Sequence, residues 1–419
     1  MVSTTVDRVA RTADGVPLKV KLQQAERKRK LRAVALVLPL FLFIVAGFVV
    51  PISIMLFNSV HDPEGLRTLM PKTSVALQSW DGQDLPSEEV FAAFAEDLKV
   101  AQIAKNPVAA IGKRLNYEMP GIRSKVIATG RAVAKLEQGP YKEALIKINA
   151  VWGERATWAV IQRSSRVFTS FYLLNALDYR FDENNEIFRR PAADSIYQDI
   201  FVRTIAISIM VTTATLLLGF PVAYLLATLP LRTSNLLMIM VLLPFWTSLL
   251  VRTTAWVVLL QTQGVVNDIL IWVGILNERV QLIFNRGGTI VAMTHIQLPF
   301  TLLPIYSVMK TISPTHVRAA RSLGAGQFYA FWRVYFPQTI PGIAAGSLLT
   351  FILSLGYYIT PALVGGPKDQ MISYFVALYT NRELNWGMAS ALGGILLVAT
   401  LILYFVYNKL IGVDRMKFG

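Results

Sequence analysis

The chain alternates between two textures. Apolar runs long enough to cross a bilayer, which takes about 20 residues at helical rise, stand at 33–57, 199–228, 235–261, 288–310, 338–362 and 387–411. Between the first and second runs, from Asn58 to Tyr197, charges are frequent and apolar residues return every three or four positions, the period of a helix with one buried face. Ser87, with Glu88 and Glu89 behind it, has the form of a capped helix start, and Tyr141 to Trp158 repeats the helical spacing. The pattern predicts an all-α polytopic membrane protein with six transmembrane helices and a helical extracytoplasmic insert. It divides the chain into an N-terminal segment 1–33, a first transmembrane helix 34–57, the insert 58–197, a five-helix core 198–412 with a polar loop at 313–337, and a tail 413–419.

Charge orients this arrangement. The net charge is +15, yet His61 to Asp199 holds 18 basic and 18 acidic residues, so the excess belongs to the apolar part and its flanks. Basic residues beside spans mark the cytoplasmic side, which accounts for the charge without nucleic acid. Lys19, Lys21, Arg27, Lys28, Arg29, Lys30 and Arg32 precede the first run and place the N-terminus inside. The same basic stretch also suits anionic lipid. The run after it is too long for a signal peptide and reads as a retained span. The insert is then outside, and six crossings return the C-terminus to the cytoplasm in what is expected to be the cell inner membrane. From residue 200 onward only Asp414 of the acids falls inside, while Asp268, Glu278, Asp369 and Glu383 fall outside.

The chemistry available is narrow. There is no cysteine, and His61, His295 and His316 are the only histidines, with no metal-ligand spacing among them. No phosphate-binding Gly-(four)-Gly-Lys-Ser/Thr loop, nucleophile elbow or His-Glu-(two)-His helix occurs, so neither ATP hydrolysis nor another catalytic activity is expected of this chain, and no cofactor or metal of its own. Pro39, Pro51, Pro221, Pro244, Pro299 and Pro304 lie in or at the ends of apolar runs, where proline kinks a helix and frees a carbonyl.

The most informative polar stretch is Ser313 to Ile343. Ser313-Pro314 suits a helix start, Gly324-Ala-Gly326 a stop, and Phe328, Phe331, Trp332 and Tyr335 then recur at helical spacing before Pro337 and Pro341. The expected product is a short amphipathic helix outside the membrane between two spans.

Arg318-Ala-Ala-Arg-Ser-Leu-Gly324-Ala325, followed by Trp332-Arg-Val-Tyr-Phe-Pro337 and Pro341-Gly-Ile343, resembles the "EAA" cytoplasmic loop of permease subunits of ATP-binding-cassette importers. By this resemblance the fold is that of a type I importer permease, and Arg318, Ala319, Ala320, Gly324, Ala325 and Pro337 form the helix that couples to the ATPase. The family's usual glutamate is Arg318 here. Further stretches, Leu243-Pro-Phe-Trp-Thr-Ser-Leu-Leu-Val-Arg252, Gly356-Tyr-Tyr-Ile-Thr-Pro361 through Pro367, and Asn385-Trp-Gly-Met-Ala-Ser390, are similar to permeases assigned to spermidine and putrescine uptake. The resemblance covers residues 35–60 and 195–415 and leaves the insert unmatched. It implies two ATPase subunits carrying ATP and Mg, a second permease subunit of the same or another kind, and a periplasmic solute-binding protein docking on the outer face.

A desolvated ammonium needs carboxylates or aromatic faces. Polyamine permeases often carry acids where Tyr357 and Ala362 stand, which leaves Trp246, Tyr357 and Tyr358 as aromatic candidates for the solute path, with packing or interfacial anchoring as their alternative role. Arg252, a cation within a span, favours instead an anionic or zwitterionic solute such as an amino acid or opine. A secondary transporter would be expected to carry intramembrane acids, and a membrane-anchored scaffold would have no use for the coupling loop.

Overall fold

The computed structural model of the protein describes residues 18–62, 65–103, 107–137 and 139–411. Residues 1–17 of the N-terminal segment and the tail 413–419 therefore lie outside the described residues, whereas Lys19 to Arg32 fall on the first helix. The chain forms two units, Met1–Phe57 and Asn58–Gly419.

The first unit is one helical rod in three pieces: α1 (Leu18–Ile44), a π turn (Val45–Val49) and α2 (Val50–Asn58). Its wide turn has a local cause. Pro51 has no N–H to give to Gly47, and just ahead of it the ladder widens, so that the Val50 amide reaches back five residues to the Val45 carbonyl. The most apolar 18-residue stretch within Ala25–Asn58 has a mean hydropathy of 2.9 and is not buried within its own unit, as a span that presents its side chains to lipid would.

The second unit begins with a helical domain. Its elements are α3 (Leu66–Leu69), α4 (Pro71–Ala76), α5 (Glu88–Ile103), α6 (Pro107–Glu118), α7 (Ile122–Val133), α8 (Tyr141–Ile148), α9 (Arg155–Ser164) and α10 (Phe171–Ala176). Phe91 and Phe94 of α5 meet Trp152 and Trp158 in an aromatic nest with ring centroids 4.5–6.3 Å apart. Both indoles are satisfied: Trp152 donates to Thr129 Oγ1 at 2.8 Å and Trp158 to the Trp152 carbonyl at 2.9 Å. Glu88, which the sequence marks as an early acid of α5, accepts the Tyr141 and Lys142 amides and so caps α8 as well.

An antiparallel hairpin, β1 (Tyr179–Phe181) and β2 (Ile187–Arg189), comes next, a small departure from the purely helical expectation. Its turn is tied by Asp182, whose carboxylate accepts the Asn184 and Glu186 amides at 2.8 and 2.7 Å. Asp178, just before β1, accepts from Ile196 and Gln198 and thereby caps the next helix, α11 (Tyr197–Thr228), from a distant part of the chain.

The bundle proper is built on α11, α15 (Arg286–Thr311) and α18 (Phe336–Gly356). Gly342 and Gly346, one turn apart on α18, bring it against α15: a Cβ on Gly346 would lie 2.5 Å from the Thr301 carbonyl oxygen. At that crossing Thr301 Oγ1 bonds Thr215 of α11 at 2.9 Å and Thr350 of α18 at 2.6 Å. Small residues and hydroxyls are the usual means of holding helices together where lipid removes the hydrophobic drive.

The run expected as one helix over 235–261 is instead α12 (Leu231–Leu242), a 3₁₀ turn (Leu243–Trp246) and α13 (Leu249–Leu260), bent by 96°. Pro244 withholds an amide there, and Ser248 restarts the helix by accepting the Val251 amide at 3.2 Å. The path still runs from end to end, since Leu237 packs with Leu226 and Tyr335 whereas Leu260 packs with Ile283 and Val364. The run expected over 338–362 likewise stops at Gly356. Tyr357 is extended, and a short α19 (Ile359–Val364) comes after the break. The remaining helices are α14 (Val265–Trp272), α16 (Pro314–Ser322), α17 (Gln327–Ala330), α20 (Ile372–Asn381) and α21 (Trp386–Ile411).

The loop 313–337 and the helical domain lie at opposite ends of the bundle. Tyr224, near the end of α11, packs on Phe331 and Tyr335, whereas Tyr197 at its start bonds Tyr379 of α20. Replacing Gly346 with alanine is expected to destabilise the bundle by about 1–3 kcal/mol, read as a lower thermal midpoint in detergent. The same change at Gly356, where a methyl group meets nothing within 4 Å, is expected to stay within about 0.5 kcal/mol.

Candidate functional site

Two regions carry the residues singled out by sequence. The first is the loop that joins α15 to α18. Ser313 caps α16 by accepting the Thr315 amide, and Pro314 takes the first helical position, where its missing N–H costs nothing. The helix ends in a Schellman turn. Gly324 adopts φ +89°, its amide reaches the Arg321 carbonyl at 3.0 Å, and the Ala325 amide reaches Ala320 at 3.1 Å.

Beyond the turn comes α17, then a π turn (Phe331–Tyr335) in which the Phe336 amide reaches back to Phe331, one residue ahead of Pro337. The arrangement matches that ahead of Pro51. Phe331, Tyr335 and Val317 seat the loop on the ends of α11 and α15. The opposite face is left open: Leu323 is 89% exposed, Phe328 78% and Trp332 47%. Arg318 and Ala319 are exposed on α16 and Ala320 is half-buried. Thus Arg318, Ala319, Gly324 and Pro337 lie on one accessible segment together with exposed apolar side chains, a surface of the kind that meets a protein or a membrane.

The second region lies around the bend between α12 and α13. Trp246 is 86% exposed. Arg252 is half-buried, with its guanidinium 5.7 Å from the Phe245 ring centre and a buried Nε that has no acceptor. Tyr357 packs with Ile207, Val211, Met293 and Met371, while Tyr358 is exposed. Arg252 and the Tyr357–Tyr358 pair stand on adjoining elements: Thr253 of α13 hydrogen-bonds Thr360 of α19 at 3.1 Å, and Arg252 lies within electrostatic reach of Tyr357.

Sequence reasoning missed their companions. Trp256 donates to His295 Nδ1 at 3.2 Å, which leaves Nε2 of a neutral imidazole as the proton-bearing nitrogen. Farther along α15, Gln297 accepts from Ser354 at 2.7 Å but keeps a buried amide nitrogen without a partner, as does the Thr294 hydroxyl. The available signal was three polar residues, Thr294, His295 and Gln297, inside an apolar run. No group of three or more His, Asp or Glu converges on a metal-sized site among the described residues.

Residues 215–411 match the family described as "Binding-protein-dependent transport system inner membrane component". The spermidine/putrescine transport system permease protein PotB of Escherichia coli is 30% identical over 214 residues, which cover 51% of this chain and 78% of that protein. PotB of Haemophilus influenzae is 33% identical over 219 residues, covering 52% and 77%. The chain belongs to this family of importer permeases. Among solved structures, a bacterial ABC transporter that imports the acidic polysaccharide alginate is similar over 52% of this chain and 80% of its own, at 21% identity and a TM-score of 0.42. In this importer permease the family match begins at residue 215, so the helical domain lies outside it.

The loop geometry sets a graded expectation. Gly324→Val forces a β-branched residue into left-handed backbone at a cost of about 1–2 kcal/mol, whereas Gly324→Asn, which tolerates that region, costs less. Hydrogen exchange of the Ala325 amide should rise accordingly, more in the valine variant than in the asparagine one.

Proposed function

We propose that this chain is the membrane-spanning subunit of an importer that receives a small solute, of the spermidine/putrescine kind, from a binding protein outside the cell and releases it to the cytoplasm. The single observation that carries the reading is the amphipathic loop, seated on the bundle by Val317, Phe331 and Tyr335 yet open at Leu323, Phe328 and Trp332. Its occupant in this reading is a cleft on a separate ATPase, with two ATPase copies binding ATP and Mg and a second permease subunit completing the pore. The loop is cytoplasmic, as are both termini, and the helical domain at the other end faces the binding protein.

ATP-driven closure of the ATPases moves the coupling helix, and the bundle shifts between inward-open and outward-open states biased by ligands at both ends. Arg318, Ala319, Ala320, Gly324, Ala325 and Pro337 shape the coupling contact. Trp246, Tyr357 and Tyr358 offer aromatic faces to an ammonium. The identity with the PotB proteins supports the polyamine.

One observation favours a second substrate class. Arg252 holds a guanidinium in the membrane part with no acceptor at Nε, and the acids after residue 200 up to 411, Asp268, Glu278, Asp369 and Glu383, all lie outside the candidate spans. A charge so placed suits an anionic or zwitterionic solute.

Reconstituted with its ATPase and binding protein, the chain should give solute-stimulated ATP hydrolysis. Stimulation by spermidine or putrescine is the expected result. Stimulation by amino acids or opines alone would transfer the assignment to the second class, with Arg252→Gln then abolishing it. Gly324→Asp should leave the protein inserted but lose the stimulation, and normal transport in that variant would remove the coupling role from this loop.

A further inference from the structure

The helical domain is joined to the long apolar helix α21 by a buried contact. Tyr172 of α10 is 3% exposed, and its ring lies directly on the backbone of Gly387, where an added Cβ would collide with it. Phe171, Tyr172 and Ala176 share a core with Met388, Ala391 and Leu392 of α21, and Asn175 touches the Met388 sulfur at 3.5 Å.

The domain side of this contact is locked by charge. Arg114 of α6 stacks against the rings of Phe171 and Tyr172, with its guanidinium 5.6 and 5.7 Å from their centres. It pairs with Asp62 at 2.6 Å and Glu118 at 3.2 Å. Tyr172 donates its hydroxyl to the same Asp62 at 3.2 Å, and Glu118 also accepts from Ser164 at 3.0 Å. Burial opposes the charge on Arg114, but Tyr172, Glu118 and Asp62 outweigh it and hold its pKa above the ordinary value. Burial also pushes the Tyr172 phenol up, so its hydroxyl keeps its proton and remains a donor. Such a network, once formed, is costly to break, because removing one member strands a buried charge.

At its other end α21 reaches α18: Tyr407 donates to the Ala344 carbonyl at 2.8 Å. The coupling loop runs directly into α18 through the π turn at Phe331–Tyr335. A continuous set of packed elements therefore runs from the helical domain through α21 and α18 to the loop.

We propose that the helical domain is a lever fixed to α21 at Tyr172 and Gly387, through which a protein bound to that domain biases the coupling loop at the far end of the bundle. The proposal rests on the importer reading for what binds at either end. Its mechanical part can be measured without them.

In the full chain in detergent, Tyr172→Ala should raise hydrogen exchange at the loop amides 323–325 by about fivefold, the lower end of ordinary coupling between sites. Tyr172→Phe, which keeps the ring on Gly387, should stay close to the unaltered protein. Unchanged exchange in the alanine variant, with the variant still folded, would overturn the lever.

In the reconstituted complex the alanine variant should keep basal ATP hydrolysis and lose about fivefold or more of the stimulation by binding protein. A disulfide between Asn175→Cys and Met388→Cys, introduced into a chain that has no other cysteine, should leave transport intact, because the two parts move together. Transport blocked by oxidation and restored by reductant would also overturn the proposal. No stimulation in the unaltered chain would refute the importer reading instead, and the exchange measurement would still decide the lever.

Discussion

The structure depends on the close approach of α15 and α18. Gly346 sits so near the Thr301 carbonyl that no side chain fits, and the Thr215, Thr301 and Thr350 hydroxyls close the crossing from three helices. In lipid the apolar surfaces of helices gain little by meeting one another, so contact must come from tight packing and satisfied polar groups. With that crossing fixed, α11 has a surface for Tyr224 to receive the loop aromatics at one end and for Tyr197 to meet α20 at the other. Both ends of the bundle are positioned by one narrow contact in the middle.

Proline shapes the chain in a recurrent way. Ahead of Pro51 and again ahead of Pro337, the helix widens by a single π turn, and the residue before the proline bonds five positions back. The missing amide is thus absorbed without ending the helix. At Pro244 the outcome differs, because Thr247 is extended and Ser248 is able to cap a new helix, so the rod breaks by 96°. The residues on the C-terminal side of a proline decide here whether it bends a span or breaks it.

That difference explains how much was legible in the sequence. Hydropathy located every apolar run, and the charge texture set off the helical domain, because both signals are sums over many residues. Ser313, Pro314 and Gly324 announced the limits of α16 because caps and left-handed turns depend on single side chains. The bend at Thr247 and the stop at Gly356 fall inside apolar windows that average them away, although Pro244 and Ser248 were visible. The pairing of Trp256 with His295, and of Arg114 with Asp62, was not legible, since 39 and 52 residues separate the partners and nothing local marks them. The approach of α13 to α19, which brings Arg252 near Tyr357, was equally illegible, because Thr253 and Thr360 make it across a separation of 107 positions.

The contact between Tyr172 and Gly387 also bears on how the protein is made. Asn175 and Met388 touch although they stand 213 positions apart. The helical domain has its own aromatic nest and can condense soon after its residues leave the ribosome. Its mooring cannot form until α21 has been synthesised and inserted. Translation therefore leaves a folded domain with an open apolar face, bearing Phe171 and Tyr172, until α21 arrives to close it.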